Sequence, residues 1–186
     1  MFKTGRFFYI IGASGAGKNS LIQYVRQRNN YDTPAVFSHR YITCPSNTDD
    51  IALSQEEFDH RRKLGCFALN WKNNGLQYAI GIEINQWLAK GLNVVVCGSH
   101  NTLEHAVSKY PEIRPILIKL NPEILRERLM VRGRDSLTAI DNIVKHATIF
   151  NHVKHPFLIT LDNSGPIEFA GEALAHSVFT KKLEVW

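Results

Sequence analysis

Cysteine is scarce in this sequence: Cys44, Cys66 and Cys97 are odd in number, lie far apart and form no CxxC pair. A disulfide framework and a thiolate zinc site are therefore not indicated, and a reducing cytoplasm is the expected compartment. Long apolar runs are missing as well. FFYII, ahead of the glycines that begin at residue 12, is about five residues long, too short for the core of a signal peptide or for a membrane span. No membrane partner is expected. The eight histidines show no HExxH or related ligand spacing, and neither a Ser-His-Asp nor a nucleophilic-cysteine signature is visible. Charge of one sign is modest too: 22 Lys and Arg stand against 17 Asp and Glu, a formal +5 with no basic block. Such a surplus fits a partner that carries phosphate, with nothing that favours nucleic acid.

What remains is an ordinary globular composition, 44% hydrophobic and 21% charged over 186 residues, enough for one core and one domain. The run over 7–11 suits a central parallel strand covered on both faces. A helix follows the glycines, with Leu21, Ile22 and Val25 inward. Residues 39–43 are expected to be extended and 45–50 to be a loop. Ser54 and Glu57 are spaced as a capping box for a helix reaching about Leu64. CFALNWKNNGLQYAIG, residues 66–81, mixes aromatics with an Asn-Asn-Gly turn and predicts short strands outside the main sheet. Beyond it the pattern predicts a helix over 82–90 closed by Gly91, a strand over 93–97, a helix from about Thr102 and a strand over 115–120. Asn121 and Pro122 read as a cap with proline at the first helical position, opening a helix to about Val131. A helix near 137–150, a strand over 157–161 and a C-terminal helix complete the chain. Strands alternating with helices argue for βαβ units in a three-layer α/β/α sandwich on a parallel sheet.

The segment GASGAGKNS runs through Gly12, Ala13, Ser14, Gly15, Ala16, Gly17, Lys18, Asn19 and Ser20, and it nearly completes GxxxxGK[ST]. Its glycines let backbone N–H groups face phosphate oxygens at the positive end of the following helix. Lys18 reaches the β and γ phosphates as a mobile point charge. Asn19 stands where the pattern has a hydroxyl that binds Mg²⁺; its amide oxygen is a hard ligand of the type Mg²⁺ accepts, and Ser20 is placed to assist or to hold a metal-bound water. ATP and Mg²⁺ are the expected ligands. The glycine order GxxGxG does not match the dinucleotide fingerprint.

Together with HRYIT, IALSQEEF, NGLQYAIGIEI and LRERLMVRGRD, this loop resembles the guanylate-kinase-like branch of the phosphate-loop (P-loop) kinases. Within that branch it is most similar to the ribose 1,5-bisphosphate phosphokinases of bacterial phosphonate degradation, over about residues 7–165. The resemblance implies a P-loop kinase fold with an acceptor-binding insertion around 35–80 and a short lid near 132–137. It also implies transfer of the γ-phosphoryl group of ATP to ribose 1,5-bisphosphate, giving 5-phosphoribosyl 1-diphosphate. Arg40, Tyr41 and Thr43 align with the segment that grips the acceptor's phosphate, and Tyr78 with a second contact; all four side chains can donate to phosphate oxygens. Core packing with a satisfied hydroxyl is the competing reading of the two tyrosines. Arg128 and Arg132, four apart on one helix face, and Arg134 beyond Gly133 resemble the acceptor-side and lid arginines that surround the transferred group. A solvated basic helix end is the competing reading there. Asn163 resembles the position that helps to hold the nucleotide base.

The chain also departs from that pattern. An acidic residue is common in these relatives at position 19, so the missing hydroxyl is partly a family trait. Cys44 stands where an arginine is usual and Thr48 where an acid is. VVVCGSH, with Cys97 and His100, replaces a segment resembling VNGSR, so this strand end offers no aspartate for a metal. Ile143 and His146 occupy helix positions that carry lid arginines, leaving Lys145 as the nearest fixed cation. An arginine that meets transition-state charge is worth about 10³ to 10⁵ in rate. Either Lys145 or protonated His100 supplies the charge, or nucleotide binding persists in a catalytically weak module. Guanylate kinase activity is the rival enzyme reading.

Overall fold

In the computed structural model, which describes residues 5–28, 34–44 and 50–180, short apolar runs and amphipathic segments alternate as βαβ units. The elements are β1 (Phe7–Ile11), α1 (Lys18–Arg26), β2 (Ala35–Phe37), β3 (Arg40–Ile42), β4 (Ile51–Ala52), α2 (Gln55–Lys63), β5 (Phe67–Asn73) and β6 (Leu76–Gly81). They continue as α3 (Ile84–Ala89), β7 (Asn93–Cys97), α4 (Leu103–Lys109), β8 (Arg114–Lys119), α5 (Pro122–Arg132), α6 (Leu137–His146), β9 (Ile159–Asp162) and α7 (Ile167–Phe179).

Five strands form a parallel sheet in the order β2-β7-β1-β8-β9. Central β1 is buried throughout, and its side chains alternate between two cores. Phe8 and Ile10 pack with Leu21, Val25, Leu174 and Val178 of α1 and α7. Phe7, Tyr9 and Ile11 pack with Ile84, Leu103 and Ala106 from α3 and α4. One sheet between two helical layers is the expected three-layer sandwich.

The second sheet runs β4-β3-β6-β5. Its β5–β6 hairpin turns through Asn74 and Gly75, both at positive φ, as an Asn-Gly turn between twisted strands requires. Beneath it, α2 is capped by Ser54, whose Oγ accepts from the Glu57 amide at 3.1 Å, and it buries Phe58 against Leu53, Phe67 and Ala79.

Several boundaries differ from expectation. Residues 35–37 form β2, which pairs with β7 in the main sheet, so the insertion starts after residue 37. The helix expected over 137–150 is α-helical only to His146 and continues as a 3₁₀ turn over Ala147–His152. Thr48 and residues 45–49 lie outside the described residues. Among the described residues no helix is long and apolar enough to cross a membrane.

Parallel strands bring their C-terminal ends to one edge, where the loops after β1 and β7 leave side by side; the Gly98 amide donates to Ile10 O at 2.9 Å.

Candidate active site

The phosphate loop enters α1 through Gly17, which holds the left-handed φ of +85° at the N-cap. Lys18 curls back over the loop and its Nζ donates to Gly12 O at 2.7 Å and Ala13 O at 2.8 Å. Burial pushes its amine below the ordinary lysine value, with Arg40 and Arg132 acting in the same direction and Cys97 against it. An ammonium in this setting gains most from an incoming anion.

Asn163 is only 3% exposed and lies under the loop, donating from Nδ2 to Ala16 O at 2.8 Å. Its Oδ1 is buried with no hydrogen-bond partner among the described residues. A Cβ at position 17 would stand 2.5 Å from that Nδ2, so the glycine and the asparagine fit only each other. Arg128 donates to Asn163 O at 2.9 Å. In this geometry Asn163 supports the loop, and Arg128, which lines the cleft, is held against the Asn163 carbonyl.

Gly133 ends α5 in a left-handed C-cap, and Ser136 caps α6 by accepting from the Ala139 amide at 3.2 Å. In the corner between them Arg132 donates to Ser14 Oγ at 3.3 Å and to Asp135 Oδ2 at 2.5 Å, joining this segment to the loop. Arg134 is exposed and faces the same cleft. From α6 the residues Ala139, Asn142, Ile143 and His146 face it too, the stripe that helical spacing produces. Lys145 is exposed and does not line the cleft. His100 lines the cleft and meets Phe150 edge-on at 5.1 Å. Next to it, the Tyr9 hydroxyl accepts from the Ser99 amide at 3.0 Å and donates to Ser99 O at 3.2 Å; burial pushes this phenol up to about 12.

On the acceptor side, β3 pairs in parallel with β4, with Tyr41 opposite Ile51, which sets Arg40 beside Asp50. The guanidinium makes two hydrogen bonds to that carboxylate, at 2.9 and 2.8 Å, and approaches Cys97 Sγ at 3.6 Å. Burial opposes the Arg40 charge, yet Cys97 and Asp50 outweigh it and its pKa is raised. Tyr78, stacked on Trp71 at 5.7 Å and 9°, lies under Arg40. Tyr41 points to the opposite face, as strand alternation dictates, and packs on Phe67 with Arg61 over its ring. Thr43 also lies off the cleft, and its Oγ1 accepts from the Gln77 amide at 3.0 Å. Both were expected to touch the acceptor; in this arrangement neither lines the cleft. Asp50 is the carboxylate that the sequence reading missed, and its signal was an acid at the mouth of a strand that pairs beside Arg40.

Loop, corner and second sheet open onto one cleft of about 1200 Å³. Among the described residues no group of three or more His, Cys, Asp or Glu is arranged to hold a metal ion. Asn19 and Ser20, exposed on the first turn of α1, offer neutral hard oxygens, which suit an Mg²⁺ that keeps its waters and arrives on nucleotide phosphates.

This chain is 45% identical over 173 residues to the ribose 1,5-bisphosphate phosphokinase PhnN of Thiobacillus denitrificans, with 91% of this chain and 90% of the relative covered. The protein of the same name from Psychromonas ingrahamii is 42% identical over 173 residues, covering 91% and 88%. The chain belongs to the ribose 1,5-bisphosphate phosphokinase family. No protein-family model matches it. A guanylate kinase from Anaplasma phagocytophilum superposes with a TM-score of 0.67 over 98% of this phosphokinase-family chain and 89% of its own, at 15% identity, which shows the shared P-loop kinase fold.

As a member of that family the chain is a phosphotransferase. Ile143, His146 and His100 line its cleft, and two of the cleft arginines, Arg40 and Arg132, are paired with carboxylates.

Proposed function

We propose that this phosphokinase transfers the γ-phosphoryl group of ATP to the 1-phosphate of ribose 1,5-bisphosphate, giving 5-phosphoribosyl 1-diphosphate and ADP, as a step of phosphonate breakdown. The observation that carries the proposal is the single cleft onto which a phosphate loop and a separate aromatic and charged sheet both open, so that two ligands meet end to end. Loop amides and Lys18 hold the β and γ phosphates. A phosphate oxygen of the acceptor forms the new bond to the γ-phosphorus while the bond to the β,γ-bridging oxygen breaks, with Arg132 and Arg134 beside the charge that spreads over the transferred group. The acceptor phosphate is already an anion, so no general base is required. Mg²⁺ held at Asn19 and Ser20 would supply further charge neutralisation on the nucleotide. Arg40 and Tyr78 are the acceptor-side contacts, and α6 covers the site so that water does not intercept the phosphoryl group.

Phosphorus NMR of the protein with MgATP and ribose 1,5-bisphosphate, and in parallel with GMP, tests this. New diphosphate signals in the sugar sample alone are expected. Turnover of GMP alone would make the chain a guanylate kinase. Intact ATP in both, from protein shown to bind nucleotide, would make it a nucleotide-binding module.

A further inference from the structure

Among the described residues Lys18 and four arginines, Arg40, Arg128, Arg132 and Arg134, face the cleft, and two of the arginines are partly neutralised by Asp50 and Asp135. The substrates of the proposed reaction are a nucleoside triphosphate and a sugar bisphosphate, and together they bring more negative charge than the remaining cations balance. Two other groups in the lining can become positive. His100 follows β7 at the point where that strand's loop runs beside the phosphate loop, and His146 ends the cleft-facing stripe of α6. Phe150 lies four residues past His146 and touches His100, so both imidazoles stand on one wall of the cleft.

We infer that His100 and His146 are proton-dependent cations of this site, taking up protons as the phosphates enter and standing in for fixed guanidinium charge. The inference rests on the proposed function for the identity of the acceptor, but its first effect is on nucleotide binding. An imidazole beside a phosphate is favoured in its charged form, so anion binding and proton binding are coupled. Affinity for nucleotide then falls as pH rises through the range in which imidazoles lose their charge. The other titratable and charged groups that line this cleft among the described residues are Lys18 on the loop, Cys97 on β7, the Arg40–Asp50 pair and Tyr78 from the second sheet, Arg128 and the Arg132–Asp135 pair at the end of α5, and Arg134. Lys18, whose amine is held below the ordinary lysine value, can also gain protons when an anion arrives, so the histidine contribution must be read as a difference.

Calorimetric titration of the full chain with MgADP at about pH 7.5, in buffers of different ionisation enthalpy, counts the protons exchanged. Wild type is expected to take up protons, and His100→Gln and His146→Gln each to take up fewer, by as much as about one. Comparison with wild type cancels protons that belong to the nucleotide or to Lys18. His100→Arg restores the charge permanently: it removes that uptake and flattens the pH profile, with affinity at alkaline pH about tenfold above wild type. A purely structural contact with Phe150 would not be improved by arginine. Equal uptake in wild type and both glutamine variants overturns the inference. If the glutamine variants do not fold, imidazole nitrogen shifts of the wild type decide it, by moving to imidazolium values on MgADP addition or staying where they are. Proton uptake without sugar phosphorylation leaves this inference standing and sinks the proposed reaction, and the reverse pattern does the opposite.

Discussion

Arg40 donates from Nε to Asp50 Oδ1 at 2.9 Å and from its guanidinium to Asp50 Oδ2 at 2.8 Å, with the two side chains 17% and 11% exposed. Asp50→Ala leaves a half-desolvated guanidinium beside Cys97 and Tyr78. It is expected to cost about 2 kcal/mol, below the roughly 3–5 kcal/mol of a fully buried pair because some solvent reaches this one. Urea unfolding of Asp50→Ala, Arg40→Ala and the double variant checks this. The double variant should lose clearly less than the two singles added together.

Lys18 carries a lowered pKa in the folded chain, through burial first and then through Arg40 and Arg132. Between that lowered value and the ordinary lysine value the unfolded chain therefore binds more protons than the folded one, so stability of the nucleotide-free protein climbs with pH across that window. Lys18→Met is expected to abolish that climb, in urea titrations taken at intervals from neutral to alkaline pH. The same substitution should slow phosphoryl transfer by about 10² to 10³, the usual effect of removing one donor aimed at developing charge.

Gly17 and Asn163 share one small space. Gly17→Ala places a Cβ 2.5 Å from Asn163 Nδ2 on a residue held at φ +85°, so the Asn163 amide or the loop must shift and the contact between them is broken. Loss of nucleotide-dependent thermal protection is the expected outcome. Asn163→Ala removes only the bond to Ala16 O and should weaken nucleotide binding by about 1–2 kcal/mol. Thermal shifts across an ADP series separate the two effects.

Tyr41 and Tyr78 lie on opposite faces of the second sheet. Tyr41→Phe should leave acceptor KM and kcat within about twofold, because its ring packs on Phe67 away from the cleft. Tyr78→Ala removes the ring stacked on Trp71 beneath Arg40 and should raise acceptor KM by about tenfold. Steady-state kinetics with the sugar bisphosphate varied distinguishes them, and equal effects would refute the face assignment.

Much of the frame was legible because it depends on local periods. FFYII before a glycine announced a central strand, GASGAGK announced a phosphate loop between strand and helix, and Ser54 with Glu57 announced a capped helix; each appears where expected. β2 was missed because Ala35–Phe37 is three residues long, and its place in the sheet comes from pairing with Asn93, far along the chain. The candidate site was legible in its ingredients and less so in its arrangement. HRYIT marks residues near an acceptor, but strand alternation sends Arg40 toward the cleft and Tyr41 away from it. A helix face was enough to group Arg128 with Arg132, yet it did not reveal that Arg128 would close on Asn163.

The layered α/β frame, the phosphate loop with Lys18 and family membership were written in local pattern, because period, turn chemistry and motif spacing act over a few residues at a time. Folding was needed to bring Asp50 against Arg40, to set Asn163 under the loop, and to put His100 and His146 in the lining of one cleft while leaving Lys145 outside it. Those outcomes depend on strand register and helix packing between segments tens of residues apart, and no local pattern carries that information.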